Sequence, residues 1–522
     1  MKISEFQNSI DRVKICLLRL PMIVTKWDNF HSTSPPLGLA YVAGSIKHAG
    51  YDVTALDALG EAPLQKISLE DDEYVSYGLS IKQIIKQLAY EDFNVLFVSI
   101  MFSLEWPMAK SFIQTIKKTY PDVLLVCGGE HTSSCPEYCL EDCPEIDICV
   151  VGEGEETSVE LLRAVEQKKS FSEVSGIVYR SENGINKNPN RARINKLDDI
   201  KWPAWEMFPL ENYLSNGLGY GIKPGRSMPI LISRGCPYQC TFCSSPQMWT
   251  TKWQARDVEC VLNEMQHYID KYKATNFDLY DLTAIVRKDW IVNFSQKIIK
   301  KNWNIAWQMP AGTRSEALDD ETLKLLHLSG QHHIVYAPES GSEETLTKIK
   351  KKIKIGRMKK SIKSALKEGM YVKISLMLGF PDETHKAMMQ TLNFTKDLAI
   401  MGVNDIYIAS FSPYPGSELF NQMRKNGQIP RLDNEYFLGL KSYSNFFRSA
   451  SYSQHVSNRT LALYRIFGML MFYIISYSLR PKRLFRLIAN VIKKREEGRM
   501  DKALIDIVDR IKRSKKTTNT MN

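Results

Sequence analysis

Three closely spaced cysteines constrain this chain more than any other feature. Cys236, Cys240 and Cys243 form a C-x3-C-x2-C run on one short segment, with Phe242 directly before the last of them. Three thiolates held this close together can ligate three irons of a [4Fe–4S] cube and leave the fourth iron without a protein ligand. The alternative is a zinc site, which takes four ligands and commonly uses two C-x2-C pairs. The sequence has no second such pair, so we predict a cluster with one open iron.

The cysteine run resembles the signature of the radical S-adenosylmethionine (SAM) superfamily, C-x3-C-x-(aromatic)-C. The resemblance implies that SAM chelates the open iron and that one electron from the cluster releases a 5′-deoxyadenosyl radical, which abstracts a hydrogen atom from the substrate. It also implies an external low-potential electron donor of the flavodoxin or ferredoxin type. In such enzymes the cofactor carries the chemistry, while the protein positions it and excludes water.

Length and composition predict two or three domains in a reducing cytoplasm, and they do not by themselves indicate a nucleic-acid partner. The 522 residues include ten cysteines and no apolar leader, which fits a reducing compartment. The net charge of +11 does not by itself indicate nucleic acid, because phosphate contacts require a clustered basic face. The tRNA methylthiotransferases resemble the chain in the barrel, but they carry a second N-terminal cluster and a C-terminal β-barrel. A simple electron carrier would need no open iron.

Residues 1–195 alternate short apolar strands with helices, which predicts a Rossmann-like, doubly wound parallel sheet. Such sheets bind ligands beyond the carboxyl ends of their strands. The segment 35–39 and the glycine-rich strand ends at 128–131 and 152–155 resemble the cobalamin-binding domain of B12-dependent radical SAM enzymes. The resemblance implies cobalamin contacts from Ser99, Gly128, Gly129, His131, Gly152 and Gly154.

Two features of this domain leave alternatives open. The Asp-x-His-x-x-Gly motif that supplies a histidine to cobalt in other B12 proteins is absent. His131 could approach the corrin, although a loop histidine hydrogen-bonded to the backbone is the simpler interpretation. Cys135, Cys139 and Cys143 have a spacing that places them on one face of a helix. A second cluster is the alternative, but a straight helix would spread three thiolates over about 12 Å, so we interpret them as apolar core thiols.

After a linker at 196–226, residues 227–430 repeat a strand–helix pattern six times, which predicts a partial (β/α)6 TIM-like barrel. Its site should lie at the carboxyl ends of the strands. By resemblance to the radical SAM family, the residues there that contact SAM or its surroundings are Phe242, Asp281, Arg314, Glu339, Ser340 and Gly341. For Arg314, an ion pair with a barrel acid is an equal alternative to binding a ligand carboxylate. The turns at 379–384 and 412–417 resemble pocket-shaping segments of the family.

Residues 431–522 form a predicted helical region with a basic tail. The stretch 466–479 carries 14 residues without a charge, which is short for a membrane span, and basic residues follow it. Such a segment can lie at a membrane interface, or it can be a core helix packed on the barrel. The expected substrate is a small molecule or a lipid-like compound, and peripheral contact at the inner membrane face would favour a lipid-like or polyketide-like one.

Taken with the family resemblance, these features predict a cobalamin-dependent radical SAM methyltransferase acting on an unactivated carbon, with a [4Fe–4S] cluster, SAM and cobalamin as cofactors. The alternative is a B12-dependent radical SAM oxidoreductase or cyclase that transfers no methyl group. S-adenosylhomocysteine separates the two, because only methyl transfer forms it.

Overall fold

The computed structural model describes residues 6, 12–26, 33–69, 73–220, 225–440, 450–495, 498, 500–505 and 508. Within these residues the N-terminal domain contains ten strands: β1 (Ile15–Arg19), β2 (Met22–Thr25), β3 (Val53–Asp57), β4 (Lys66–Ser68), β5 (Tyr74–Tyr77), β6 (Val95–Ser99), β7 (Leu124–Gly128), β8 (Ile148–Val150), β9 (Ile177–Ser181) and β10 (Gly184–Lys187). Its helices are α1 (Leu37–His48), α2 (Ile81–Leu88), α3 (Trp106–Thr119), α4 (Glu130–Ser134), α5 (Pro136–Asp142) and α6 (Gly154–Glu166).

Seven of these strands form one sheet in the order β10-β9-β8-β7-β6-β1-β3. The strands from β8 to β3 run parallel, and the β9–β10 hairpin adds antiparallel strands at one edge. The parallel strands are apolar runs because helices cover both faces, and β1 illustrates this with four fully buried residues. The predicted Rossmann-like sheet is confirmed. The small antiparallel sheet β2-β5-β4 was not predicted.

Next come the linker helix α7 (Leu210–Ser215) and the barrel. The barrel strands are β11 (Ser227–Ile230), β14 (Asn276–Leu279), β15 (Ala306–Gln308), β16 (His333–Glu339), β17 (Tyr371–Leu378) and β18 (Asp405–Ser410), and β12 (Ser233–Arg234) pairs with β13 (Gln254–Ala255) beside them. The helices are α8 (Ser245–Trp249), α9 (Val258–Tyr272), α10 (Lys288–Lys301), α11 (Asp320–Leu328), α12 (Glu343–Lys348), α13 (Ile355–Lys367), α14 (His385–Met401) and α15 (Glu418–Lys425).

The six barrel strands lie in sequence order. They form two parallel three-stranded sheets, β11-β14-β15 and β16-β17-β18, and a bridge between Thr313 and Tyr336 joins them. This arrangement confirms the predicted partial (β/α)6 barrel. Each strand-to-helix turn opens at the same end, so the segments after β11, β14, β15 and β16 converge on one mouth.

The described part of the C-terminal region is helical, as predicted, with α16 (Asn434–Leu438), α17 (Asn458–Leu479) and α18 (Pro481–Ile492). The end of the predicted basic tail, 509–522, lies outside the described residues. Helix α17 is 22 residues long, and by length and composition it could cross a membrane. One of its faces is fixed to the barrel, because Arg465 Nε donates to the Ile408 carbonyl at 3.0 Å and Tyr464 Oη lies 2.9 Å from His385 Nδ1. We therefore assign it as a helix packed on the barrel.

The predicted single helix through Cys135, Cys139 and Cys143 is wrong. Helix α4 ends at Ser134, and α5 begins at Pro136, with Cys135 between them at φ −150° and ψ 58°. Pro136 explains the break, because proline lacks the amide proton and clashes with the preceding helical turn. Cys139 and Cys143 are fully buried in the apolar core, which agrees with the interpretation as core thiols.

Candidate functional site

The three-cysteine loop lies between β12 and α8, at the barrel mouth. Cys236, Cys240 and Cys243 are half-buried and form no disulfide. The entry to the loop requires glycine at position 235. Gly235 has φ +87°, and an added Cβ would lie 2.1 Å from the Lys252 carbonyl oxygen. The turn that leads into the three-cysteine loop therefore requires glycine at position 235, because a side chain there would collide with the Lys252 backbone.

The spacing of the three sulfurs favours a cluster over a single metal ion. A tetrahedral zinc ion draws its thiolates to about 3.8 Å from one another. Among the described residues, the cysteines of this loop do not form a group with ligand atoms within 4.8 Å of one another. A cube places its thiolates on different irons and so holds them farther apart. Three free, half-buried cysteines fit that donor set.

Two cations flank the loop. Burial raises the pKa of the Cys236 and Cys240 thiols, and the positive charges of Lys351 and Arg314 oppose that rise for both. Iron needs the thiolate form, so positive charge beside the loop favours the ligating state. Lys351 was not predicted from the sequence, because it lies in a lysine-rich run, 348–354, that reads as a solvated surface.

Asp281 holds the strand that leads into the cysteine loop. Its carboxylate accepts hydrogen bonds from the Ile232 amide at 3.3 Å and from both the amide and the hydroxyl of Ser233. Burial raises the pKa of Asp281 to about 6. The SAM contact inferred for this residue stays a prediction, while the structure gives its carboxylate a positioning role.

Arg314 follows β15 and makes the ion pair that the sequence left as an alternative. Its guanidinium donates to Glu316 Oε1 at 2.8 and 3.1 Å and also to the Lys352 carbonyl. The guanidinium carbon lies 3.6 Å from the ring centroid of Tyr238, inside the cysteine loop. Arg314 therefore supports the loop through a cation–π contact.

Glu339 ends β16 in a conformation that non-glycine residues rarely adopt, with φ 68°. The register between β16 and β17 shifts at this point. The Glu339 carboxylate accepts from Lys351 Nζ at 2.9 Å, and both side chains are largely buried. Lys351 in turn lies 5.9 Å from the ring of Phe242, which packs on Phe380. Strained backbone held by a buried ion pair is typical of functional sites.

Ser340 and Gly341 face helix α14. The Ser340 hydroxyl lies 2.9 Å from Thr391 Oγ1, and the Gly341 amide donates to the same oxygen at 3.1 Å. An added Cβ at Gly341 would lie 2.5 Å from Phe394 Cβ. These contacts explain why the turn contains small residues. The predicted SAM contacts of both residues stay predictions.

The carboxyl edge of the N-terminal sheet is open and partly apolar. Ser99 and Gly128 lie side by side in register at this edge, and nothing lies within 4 Å of a Cβ built at Gly152. Met101 and Phe102 follow β6 with 42% and 62% of their surfaces exposed. Exposed apolar side chains and open space at Gly152, both at this edge, fit a large flat ligand such as a corrin. Sequence reasoning did not identify Met101 and Phe102.

Other predicted residues at this edge have structural explanations. Gly129 has φ +112°, and its Cβ would meet the Ile100 carbonyl oxygen at 2.4 Å. Gly154 begins α6, where a Cβ would touch Val42. The cobalamin contacts inferred for both glycines stay predictions.

His131 is enclosed beneath the edge. Its ring lies 4.9 Å from Trp106 and 5.5 Å from Phe437, with 1% of its surface exposed. Its Nδ1 atom lies 2.9 Å from the Ser103 hydroxyl. The cobalamin contact inferred for His131 stays a prediction.

A buried ion network joins the N-terminal domain to the cysteine loop. Arg234, two residues before Cys236, contacts Glu155 and lies 3.3 Å from Glu153 Oε1. Arg193 also pairs with Glu153, at 3.0 Å, and the Arg234 guanidinium stands over the Tyr41 ring at 5.3 Å. The acids of the 152–155 turn therefore fix the cluster loop to this domain. No local signal predicts this pairing, because about eighty residues separate the partners.

Comparison with known proteins agrees with this architecture. A family model described as a B12 binding domain matches residues 27–162, and one described as the Radical SAM superfamily matches residues 230–395. Both occur in the same chain in this order, so the chain is an enzyme of the B12-binding radical SAM family. This confirms, at the level of the family, the predicted cofactor set of cobalamin, a [4Fe–4S] cluster and SAM.

Individual relatives share most of their length with the chain. An uncharacterized methyltransferase of Pyrococcus horikoshii is 28% identical over 76% of this chain and 80% of its own. An anaerobic magnesium-protoporphyrin IX monomethyl ester cyclase of Rubrivivax gelatinosus is 25% identical over 76% and 68%. The structure of TsrM from Kitasatospora setae, a radical SAM methyltransferase with cobalamin and a [4Fe–4S] cluster bound, covers 81% of this chain and 79% of its own, with 15% identity and a TM-score of 0.61. TsrM shares the fold.

Proposed function

We propose that this chain is a cobalamin-dependent radical SAM methyltransferase that adds a methyl group to an unactivated carbon. One observation carries the proposal: the cysteine loop is held by Asp281 of the barrel and, through Arg234, by Glu153 and Glu155 of the B12-binding domain. The two cofactor domains therefore meet at that loop, where the methyl donor and the radical chemistry have to act on one substrate. The methyltransferase names of the P. horikoshii relative and of TsrM support the assignment.

The residues of the chain would bind and shield the cofactors. When bound, cobalamin supplies the methyl group, and SAM with the cluster supplies the radical. Cys236, Cys240 and Cys243 would hold the cluster, and the cations Lys351 and Arg314 favour the thiolate forms of Cys236 and Cys240. The exposed apolar surface after β6 would receive the corrin. Phe242 of the loop packs on Phe380, and this aromatic pair would shield one side of the cluster from water.

A B12-dependent oxidoreductase or cyclase is the second candidate. The cyclase of R. gelatinosus supports it, since it covers as much of this chain as the methyltransferase relative does. This candidate would use the same cysteine loop and the same sheet edge, but it would transfer no methyl group. The products of SAM therefore separate the candidates, because methyl transfer forms S-adenosylhomocysteine and radical cleavage forms 5′-deoxyadenosine.

The test uses anaerobically reconstituted protein with cobalamin, SAM and a low-potential reductant, and mass spectrometry of both products. We expect 5′-deoxyadenosine and S-adenosylhomocysteine together. The triple variant Cys236→Ala, Cys240→Ala, Cys243→Ala should form neither, and Cys260→Ala, on α9 away from the loop, should behave as the unaltered chain. Deoxyadenosine alone would support the second candidate. Neither product, from protein with an intact cluster absorbance, would contradict both candidates.

The proposed partners are a small-molecule substrate and an external donor of the flavodoxin or ferredoxin type, in the cytoplasm. A cluster that cleaves SAM reductively needs one low-potential electron for each cleavage, and among the described residues no other three-cysteine loop of this kind offers a second cluster as an internal relay. We therefore place the electron donor outside the chain.

We also propose that the C-terminal helices contact a membrane surface and that the substrate is lipid-like. Helix α17 exposes Leu463, Phe467, Leu470 and Ile474 at helical spacing along one side, and α18 exposes Phe485, with 70% of its surface accessible, and further apolar residues. Residues 480–516 contain fourteen Lys and Arg against five Asp and Glu. Apolar faces beside an excess of positive charge fit an anionic lipid surface.

A further inference from the structure

A second group of metal-binding side chains lies outside the cysteine loop, in the segment after β7. One ring nitrogen of His131 and the sulfurs of Cys135 and Cys139 all lie within 4.8 Å of one another. His131 and Cys139 are fully buried, and Cys135 is half-buried. The group therefore offers two sulfur ligands and one nitrogen ligand around a single point.

The helix break described above brings these residues together. On a straight helix, residues i, i+4 and i+8 spread over about 12 Å. Because α4 ends at Ser134 and α5 starts at Pro136, the chain changes direction at Cys135. The Cys139 amide still donates to the Cys135 carbonyl at 3.0 Å, which holds the two cysteines on adjacent turns.

The His131 ring is buried, and its Nδ1 atom lies on the side of the Cys135 sulfur. Its Nδ1 lies 2.9 Å from Ser103 Oγ and 3.8 Å from Cys135 Sγ, whereas its Nε2 is buried without a hydrogen-bond partner. Trp106 and Phe437 pack against the ring, so bulk water does not reach it. Nδ1 is therefore the ring nitrogen that would face a metal ion held by the cysteine sulfurs.

We propose that His131, Cys135 and Cys139 bind one zinc ion. Two thiolates and a neutral imidazole around Zn²⁺ give a site of zero net charge, which suits apolar surroundings, whereas Cu(I) would leave a net negative charge there. Zinc accepts this ligand set and leaves its fourth position to an oxygen donor. Binding releases the two thiol protons and involves no oxidation or reduction.

The ion would fix this segment beneath the carboxyl edge of the N-terminal sheet, where we propose that cobalamin binds. The segment it ties down follows β7, which carries Gly128 and Gly129 at that edge. A Cβ added at Gly416 of the barrel would lie 3.1 Å from Ser134 Cβ, so the clamped segment also touches the barrel. Cys143 takes no part, since it is outside the compact group.

The test starts from the full chain carrying Cys236→Ala, Cys240→Ala and Cys243→Ala, so that the cluster loop cannot bind zinc. After dialysis against ZnSO₄ under a thiol-free reductant and removal of loose metal, the zinc content is measured by mass spectrometry. We expect about one zinc ion per chain. Adding His131→Asn or Cys139→Ser should abolish it, and the matched variant Cys143→Ala should retain it.

A second readout keeps the test informative if a variant folds poorly. Cd²⁺ bound by two thiolates gives a near-ultraviolet charge-transfer band. We expect this band in the triple-alanine chain, here called the parent protein, and in its Cys143→Ala variant, but not in its His131→Asn variant. Zinc should also raise the melting temperature of the parent protein, since it binds only the folded chain. A parent protein without zinc, or a zinc content unchanged by both His131→Asn and Cys139→Ser, would overturn the proposal.

Discussion

The ion network between the two cofactor domains supports a quantitative prediction for Arg234→Met. The guanidinium is 10% exposed, and its partners Glu153 and Glu155 are 2% and 7% exposed at their side chains. After the substitution Glu153 keeps Arg193, but Glu155 loses the cation that it contacts. Removing one partner of a buried pair costs about 3–5 kcal/mol, because the other charge stays buried. Since only Glu155 is left alone, we expect about 3 kcal/mol.

The assay is urea unfolding of the apo protein, followed by circular dichroism under reducing conditions. Adding Glu155→Met to Arg234→Met should restore most of the lost stability, because an apolar pair replaces the isolated charge. Arg287→Met, which breaks an exposed pair with Asp289, is the control and should have no measurable effect. If Arg234→Met behaves like this control, or if the double variant is no more stable than the single one, the reasoning is refuted.

Three further predictions concern pH, the loop and the membrane. Burial raises the pKa of Glu383 to about 7, so the folded state binds its proton more tightly and this group makes stability fall as pH rises from about 4.5 to 7. Between these two pH values, Glu383→Gln should reduce the fall in the free energy of unfolding by about 3 kcal/mol. An unchanged pH dependence of unfolding would contradict this prediction. Gly235→Ala should lose its iron on reconstitution, whereas Gly217→Ala, also at positive φ but in open space, should keep it; equal iron in both would contradict the steric argument. Phe485→Ser should weaken co-sedimentation with phosphatidylglycerol vesicles several-fold, whereas Tyr90→Ser, at an exposed site on the N-terminal domain, should not. Equal binding by the two variants would show that α18 is not part of a membrane-contacting surface.

The sequence predicts the fold and the cysteine loop because both depend on local patterns. Buried parallel strands appear in a sequence as apolar runs, and the six barrel strands lie at or beside such runs. Cluster cysteines must lie on one loop, so their spacing is visible in the chain. The break at Cys135 was also readable, since Pro136 is a helix-breaking residue at the start of a new helix. The predicted single helix through Cys135, Cys139 and Cys143 did not take Pro136 into account and is therefore wrong.

Other parts of the site depend on contacts between distant segments. Asp281 resembles a ligand-binding acid by position, yet its carboxylate holds Ser233. Arg314 pairs with its neighbour Glu316 and supports Tyr238. The sequence names the residue types at the barrel mouth, but which acid meets which base depends on how the turns pack. Electrostatic partners of this kind follow from tertiary structure.

The central claim is that Cys236, Cys240 and Cys243 leave one iron open for SAM. Electron–nuclear double resonance on the reduced, reconstituted protein tests it directly, with SAM labelled by nitrogen-15 at the amino group and oxygen-17 at the carboxylate. We predict magnetic coupling of both labels to the cluster, which would show that SAM chelates the fourth iron. A reduced cluster with its full iron content and no coupling to either label would contradict the account.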